Sequence, residues 1–178
     1  MIQAGALTTE DPIELLEGYI VRNDRPRRPP HEYVREILPH VIGPRLPEDW
    51  QMRAWGAVTL ADSEPEPDLT VYYGTIERYY DHFPAPSEIA LVGEVSGIES
   101  LERDRSLKLR VYARANIGVY WIINLVDRQV EVYTDPTGPA LNPHYRQRKD
   151  LRPGDQVTLM IAGQNCGVIA VDDLLPPP

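Results

Sequence analysis

Two apolar runs in the middle of the chain each carry a single carboxylate. Asp68-Leu69-Thr70-Val71-Tyr72-Tyr73 and Ile89-Ala90-Leu91-Val92-Gly93-Glu94-Val95 are short, rich in β-branched or aromatic residues, and bounded by turn residues. That pattern predicts strands of a buried sheet. An acid inside or at the mouth of such a strand costs several kcal/mol to desolvate unless something compensates it, and a divalent metal is one such compensation. On either side the periodicity predicts further elements. In 13–21, Glu17-Gly18 separates two short apolar runs, a hairpin signal because Gly supplies the positive φ of a tight turn. Val34, Ile37, Leu38, Val41 and Ile42 recur at i, i+3, i+4, i+7 and i+8, which predicts an amphipathic helix over 31–42 that Pro39 should kink or end early. The stretch 50–60 alternates loosely and reads as a strand, and 74–88 as a short helix followed by a Pro-rich loop. Leu107, Val111 and Ala115 mark a helix over 101–115, stopped by Gly118. The nearly all-apolar run 119–126 predicts a central strand, with 130–133 as its hairpin partner across the Asp127-Arg128-Gln129 turn. A loop over 135–143, a turn at 153–155 and extended pieces at 157–161 and 168–171 complete the chain. The sum is a single-domain α+β fold, a mixed β-sheet flanked by helices, with an N-terminal arm over 1–12, the domain over 13–175 and a proline tail over 176–178 expected to lack structure.

Length and composition agree with this picture. The chain has 178 residues, enough for one real core. A formal net charge of -9 argues against a broad non-specific nucleic-acid surface, though not against a basic groove on an acidic body. Cys166 is the single cysteine, so no disulfide framework forms within one chain. The N-terminus lacks the pattern of a signal peptide, and no apolar run reaches the roughly eighteen residues of a membrane helix. A soluble cytoplasmic protein with no membrane partner is expected. Arg22, Arg25, Arg27 and Arg28 crowd a Pro-rich loop that is either a solvated loop or a phosphate-contacting one.

The chemistry-bearing residues follow the two acids. Asp104 and Lys108 lie one turn apart on the helix after Glu94. Acid, acid and lysine spread over strand, strand and helix form a metal-dependent hydrolase pattern. Each also has a plainer reading. Asp68 suits a strand entry, Glu94 an outward-facing strand position, and an acid four residues before a lysine stabilises any helix by a few tenths of a kcal/mol. Tyr72, Tyr73, Tyr79 and Tyr80 serve either as core and rim or as base-stacking groups.

The order of these segments resembles a known family. An ELLEG-IV hairpin, a Pro-Pro-His helix, E-P-D-L on a strand, GEVS, D-x-x-x-K-L-x-x-Y-A, G-V-x-Y-W-I-I and R-x-V-E-V-Y follow one another over residues 13–175. This is similar to the Uma-type family of "putative restriction endonucleases", a branch of the PD-(D/E)XK nuclease superfamily. The resemblance implies a restriction-endonuclease-like fold, DNA as substrate, and Asp68 and Glu94 holding Mg2+ or Mn2+ with the backbone carbonyl of Val95 as third ligand. The superfamily's lysine normally stands two residues after the glutamate. That position is Ser96 here, and Lys108 on the following helix is the matching residue. Asp104 would hold Lys108 or stand behind the metal ligands. His31 aligns with a histidine that begins the family's first helix, and Glu32 or Glu36 would supply the extra helix acid that many nucleases of this superfamily use. The chain departs from the family's E-V-x-S-P-S at Ser96-Gly97-Ile98-Glu99. Three readings follow. The first is a metal-dependent endonuclease hydrolysing DNA phosphodiester bonds, as a homodimer where both strands are cut. The second is a catalytically inactive nuclease-fold protein that binds nucleic acid or a protein partner. The third is a hydrolase using Asp68 and Glu94 as an acid–base pair on a sugar or ester.

Overall fold

The structure, a computed structural model, describes residues 11–23 and 28–178. Most of the expected N-terminal arm, together with Arg25 and Arg27 of the arginine loop, lies outside the described residues. The hairpin forms as β1 (Ile13–Leu16) and β2 (Tyr19–Arg22). Its turn residues Glu17 and Gly18 have φ of 51° and 78°, the left-handed pair that a two-residue hairpin turn requires. Glu17 is held in that conformation by ion pairs to Arg110 and Arg114. Helix α1 (Pro29–Ile42) begins with two prolines, where a missing N–H costs nothing. It does not end early at Pro39. That residue sits on the exposed face, while Val34, Leu38 and Ile42 stay buried on the other and carry the helix through.

The main sheet contains β3 (Trp50–Arg53), β4 (Leu69–Tyr73), β5 (Ile89–Ser96), β6 (Val119–Asn124), β7 (Gln129–Pro136) and β8 (Tyr145–Leu151), in that spatial order. Among the described residues, only β5 and β6 run parallel. The strand expected over 50–60 stops at Arg53, because Trp55 and Gly56 take φ of 70° and 125° and turn the chain away. Nothing in the apolar pattern announces β8. Its central residues Arg146 to Asp150 are exposed, and the strand exists through its backbone ladder to β7. Strands β9 (Gln156–Ile161) and β10 (Gln164–Ala170) form a separate hairpin.

The sheet has a different core on each face. One buries Val34, Leu38 and Ile42 of α1 against Leu91, Val95 and the β9–β10 hairpin. The other is rich in tyrosine, with Tyr72, Tyr120, Tyr133 and Tyr145 from the sheet and Tyr112 from a second helix. That helix, α2, spans residues 101–114 and is α-helical at Leu101–Arg103, π-helical at Asp104–Lys108 and α-helical again at Leu109–Arg114. The π turn has a cause. The carbonyl of Asp104 accepts a hydrogen bond from the buried Tyr120 hydroxyl at 3.1 Å and from the amide of Leu109, five residues on. A side chain entering the backbone ladder in this way widens a turn. Because Leu91 and Val95 enter the first core and Val92 the second, strand alternation sends Glu94 and Ser96 to the α2 face. They emerge at the carboxyl end of the one parallel pair, where open sheets bind ligands. Among the described residues, no helix is long and apolar enough to cross a membrane.

Helix α2 is fastened to the sheet by a buried carboxylate. Glu131 on β7 is 0% exposed and accepts hydrogen bonds from Arg105, Asn124, Gln129 and Tyr133. Burial alone would raise its pKa; the hydrogen bonds outweigh burial and hold it down to about 2, against 4.5 for a free glutamate. A depressed carboxylate adds stability that is present above the unfolded pKa and lost as pH falls through the folded one. The difference corresponds to roughly 3 kcal/mol. Urea unfolding near neutral pH and near pH 3 should show the first part of this loss, on the order of 1 kcal/mol, for the wild type. In Glu131→Gln the acid limb should be flatter; an unchanged limb would remove Glu131 as its source.

Candidate active site

Leu69 pairs with Gly93 across the antiparallel β4–β5 ladder, so Asp68, one residue before β4, stands opposite Glu94. Asp68 Oδ2 accepts the amide of Val95 at 2.9 Å and lies 3.3 Å from His31 Nε2. Its Oδ1 lies 3.3 Å from Arg35 Nε. Glu94 Oε1 accepts from Lys108 Nζ at 2.9 Å and from the Tyr112 hydroxyl at 2.7 Å. The same ammonium donates to Glu14 Oε1 at 3.0 Å, and that oxygen also accepts the amide of Glu66. Asp104 Oδ2 accepts from Ser96 Oγ at 2.7 Å, while its buried Oδ1 accepts no hydrogen bond among the described residues. Asp68, Glu94, Asp104 and Lys108 are each no more than 3% exposed. They lie along a cleft of about 460 Å³ whose walls include Arg28, Arg103, Arg128, Ile98, Val126 and Pro176.

The dominant electrostatic fact is an excess of buried acid. Burial pushes Glu94 up, Lys108 opposes it, and Asp104, Asp68 and Glu14 add to the rise, leaving its pKa at about 8. Burial likewise raises Asp104 despite Lys108 and Ser96, and it raises the Tyr112 phenol well above its ordinary value. Oxygen donors under such mutual repulsion suit a hard divalent cation. Among the described residues no three His, Cys, Asp or Glu side chains form a ready-made metal cage. Magnesium does not need one, since it takes one or two carboxylates and completes its shell with water and substrate oxygens. The two facing carboxylates, with Asp104 Oδ1 3.9 Å from Arg103 Nε behind them, fit that mode of binding.

The structure thus brings together Asp68, Glu94, Val95, Asp104, Lys108 and His31. Glu32 instead pairs with Arg35 at 3.1 Å, and Glu36 is exposed on α1. Of the arginine loop, Arg28 reaches the cleft and pairs with Glu99. Tyr72 and Tyr79 belong to the core, Tyr73 and Tyr80 are exposed, and none of the four lines the cleft. The proline tail has no regular secondary structure, yet Pro176 and Pro177 line the cleft, and Arg128 donates to the Pro176 carbonyl at 3.0 Å. Sequence reasoning missed Glu14, Arg35 and Tyr112. Tyr112 had a signal, because Asp104, Lys108 and Tyr112 recur at i, i+4 and i+8. Glu14 had a weaker one in the alternation that places it on the same face as the buried Leu16. Arg35 had none; its guanidinium lies 3.7 Å from the centroid of the Trp55 ring, a contact between distant segments.

Comparison with known proteins adds to this geometry. The model of the Uma2 family, described as "Putative restriction endonuclease", matches residues 3–169. Among solved structures, the chain is similar to a "putative nuclease belonging to DUF820" from Anabaena variabilis ATCC 29413. The likeness covers 97% of this chain and 94% of that one, with a TM-score of 0.63 and 15% identity, and it shows a common fold. A comparison with curated proteins gave no match.

Proposed function

This chain belongs to the Uma2 family, and on that premise we propose that it is a metal-dependent endonuclease hydrolysing DNA phosphodiester bonds. The observation that carries the reading is the Lys108 ammonium, held between Glu94 and Glu14 beside the cleft, with Asp68 facing Glu94 across the β4–β5 ladder. Asp68 and Glu94 would hold Mg2+ or Mn2+, with the main-chain carbonyl of Val95 as third ligand. A divalent ion there supplies Lewis-acid polarisation of the phosphate and a water of lowered pKa. The protein's own groups do the rest. Lys108 presents a fixed positive charge that orients the attacking water and meets the charge growing on the phosphate. Tyr112 fixes the Glu94 carboxylate by its hydroxyl, and His31 and Arg35 fix Asp68. Asp104, tied to Ser96, keeps the first turn of α2 against the end of β5.

A second reading, an inactive nuclease-fold protein that binds nucleic acid or a protein partner, is favoured by one observation. Glu94 Oε1 and Asp68 Oδ2 already bond Lys108 and the Val95 amide. Turnover separates the two. Supercoiled plasmid and single-stranded DNA are incubated with wild type, Asp68→Ala and Glu94→Ala in magnesium, manganese or EDTA. Metal-dependent cleavage of at least one of the two substrates by the wild type alone is expected. Nicking in EDTA would point to an acid–base pair. Wild type and variants behaving alike, with no divalent ion bound by calorimetry, would end the metal-hydrolase reading. Double-strand cuts would further require two copies of the chain, which sedimentation with bound DNA would reveal.

A further inference from the structure

We infer that the cleft admits a single DNA strand and rejects an intact duplex. The inference rests on the nuclease reading for its choice of DNA. Its first support is depth. Asp68, Glu94 and Lys108 are 3%, 3% and 1% exposed, so a phosphate reaches them only if the backbone enters the cleft. Duplex DNA has a persistence length of about 50 nm and resists being drawn into a concavity, whereas a single strand bends at each nucleotide.

The mouth narrows the choice further. Arg28, before the first residue of α1, pairs with Glu99 in the β5–α2 loop. Arg128, in the β6–β7 turn, is bonded to the Pro176 carbonyl. Both contacts join separate segments of the cleft wall and hold its lining close around the buried acids.

The lining chemistry points the same way. Arg28, Arg103 and Arg128 give the wall three guanidinium groups. Beside them Ile98 and Val126 are 75% and 46% exposed, next to Pro176 and Pro177. A single strand offers phosphates to the former and unstacked base faces to the latter, the combination that single-strand grooves use. A duplex hides its base faces, so the exposed apolar side chains gain little from it. Charge adds to the discrimination. Duplex DNA carries a negative charge every 1.7 Å or so of axis, about twice the density of one strand, and the protein as a whole carries -9. In the lining, Arg28, Arg103, Arg128 and Lys108 stand against Asp68, Glu94, Glu99 and Asp104, so the cleft is close to neutral and tolerates the sparser polymer more readily.

The test uses the whole chain and two fluorescent probes, a single-stranded oligonucleotide and the blunt duplex of the same sequence. Binding is followed by anisotropy in EDTA, and cleavage is followed separately with magnesium. The single strand is expected to bind at least about tenfold tighter, with a log–log salt slope of about -0.7 for each phosphate contact made. Arg103→Ala and Ile98→Asp should each weaken single-strand binding several-fold. Ile98 is exposed enough that its variant keeps the wild-type melting curve, so lost binding there is not lost folding. Equal or tighter duplex binding, or no binding of either probe, overturns the inference. Duplex cut as fast as single strand also overturns it while leaving the nuclease reading intact. A single strand bound selectively and never cut would do the reverse.

Discussion

Glu94→Gln is expected to lower metal-dependent DNA cleavage by at least about a thousandfold, or roughly 4 kcal/mol of transition-state stabilisation. The substitution keeps the shape of the side chain and an oxygen for Lys108 and Tyr112, so the fold around it persists. It removes only the charge, which a divalent ion needs and which burial with Asp68, Asp104 and Glu14 makes costly to keep. Unfolding free energy near pH 8 should therefore stay level or rise by up to about 1 kcal/mol, the usual trade between a strained site and stability. Measuring both quantities on one preparation is informative. Lost cleavage with a matching loss of stability would make Glu94 a structural acid; retained cleavage would remove it from the site.

Lys108→Met is expected to destabilise the protein by about 3–5 kcal/mol near neutral pH, as well as stopping turnover. The ammonium is 1% exposed and bonds Glu14 and Glu94, whose side chains are 0% and 4% exposed. Removing it leaves two buried acids without their shared cation. The pH dependence has a definite sign. Lys108 is the group that opposes the rise at Glu94, so without it that carboxyl's pKa moves further up. An acid with a raised folded pKa costs nothing below its unfolded value and more as pH climbs toward the folded one. The gap between variant and wild type in urea should thus be smallest near pH 5 and largest near pH 9. A gap independent of pH would mean that Lys108 acts through packing alone.

Much of this arrangement was readable from the chain. The two acids were legible because each interrupts an apolar run, and one side chain breaking a pattern stands out. Lys108 was legible through spacing on an amphipathic helix. The partners that hold the acids were not. Glu14 and Arg35 lie 80 and 33 residues from Glu94 and Asp68, the carboxylates whose neighbourhood they share, and nothing local marks such a meeting. Strand β8 was missed for a related reason. It pairs by backbone at a sheet edge, so its side chains carry no burial pattern to read. The strand over 50–60 was overextended because Trp55 holds a left-handed backbone that its identity gives no cause to expect.

The wide turn at Asp104–Lys108 makes α2 a device for setting angular phase. Its first turn is indexed to the end of β5 through Asp104 and Ser96, and its second half to β5 and the hairpin through Lys108 and Tyr112. Successive residues of an α-helix advance by about 100°. Deleting one residue within the wide turn would restore regular winding and swing one half by about that angle, so the two attachments could not both be kept. The extra residue is therefore a spacer between two fixed points, and insertions or deletions in this turn carry a penalty that ordinary substitutions there do not.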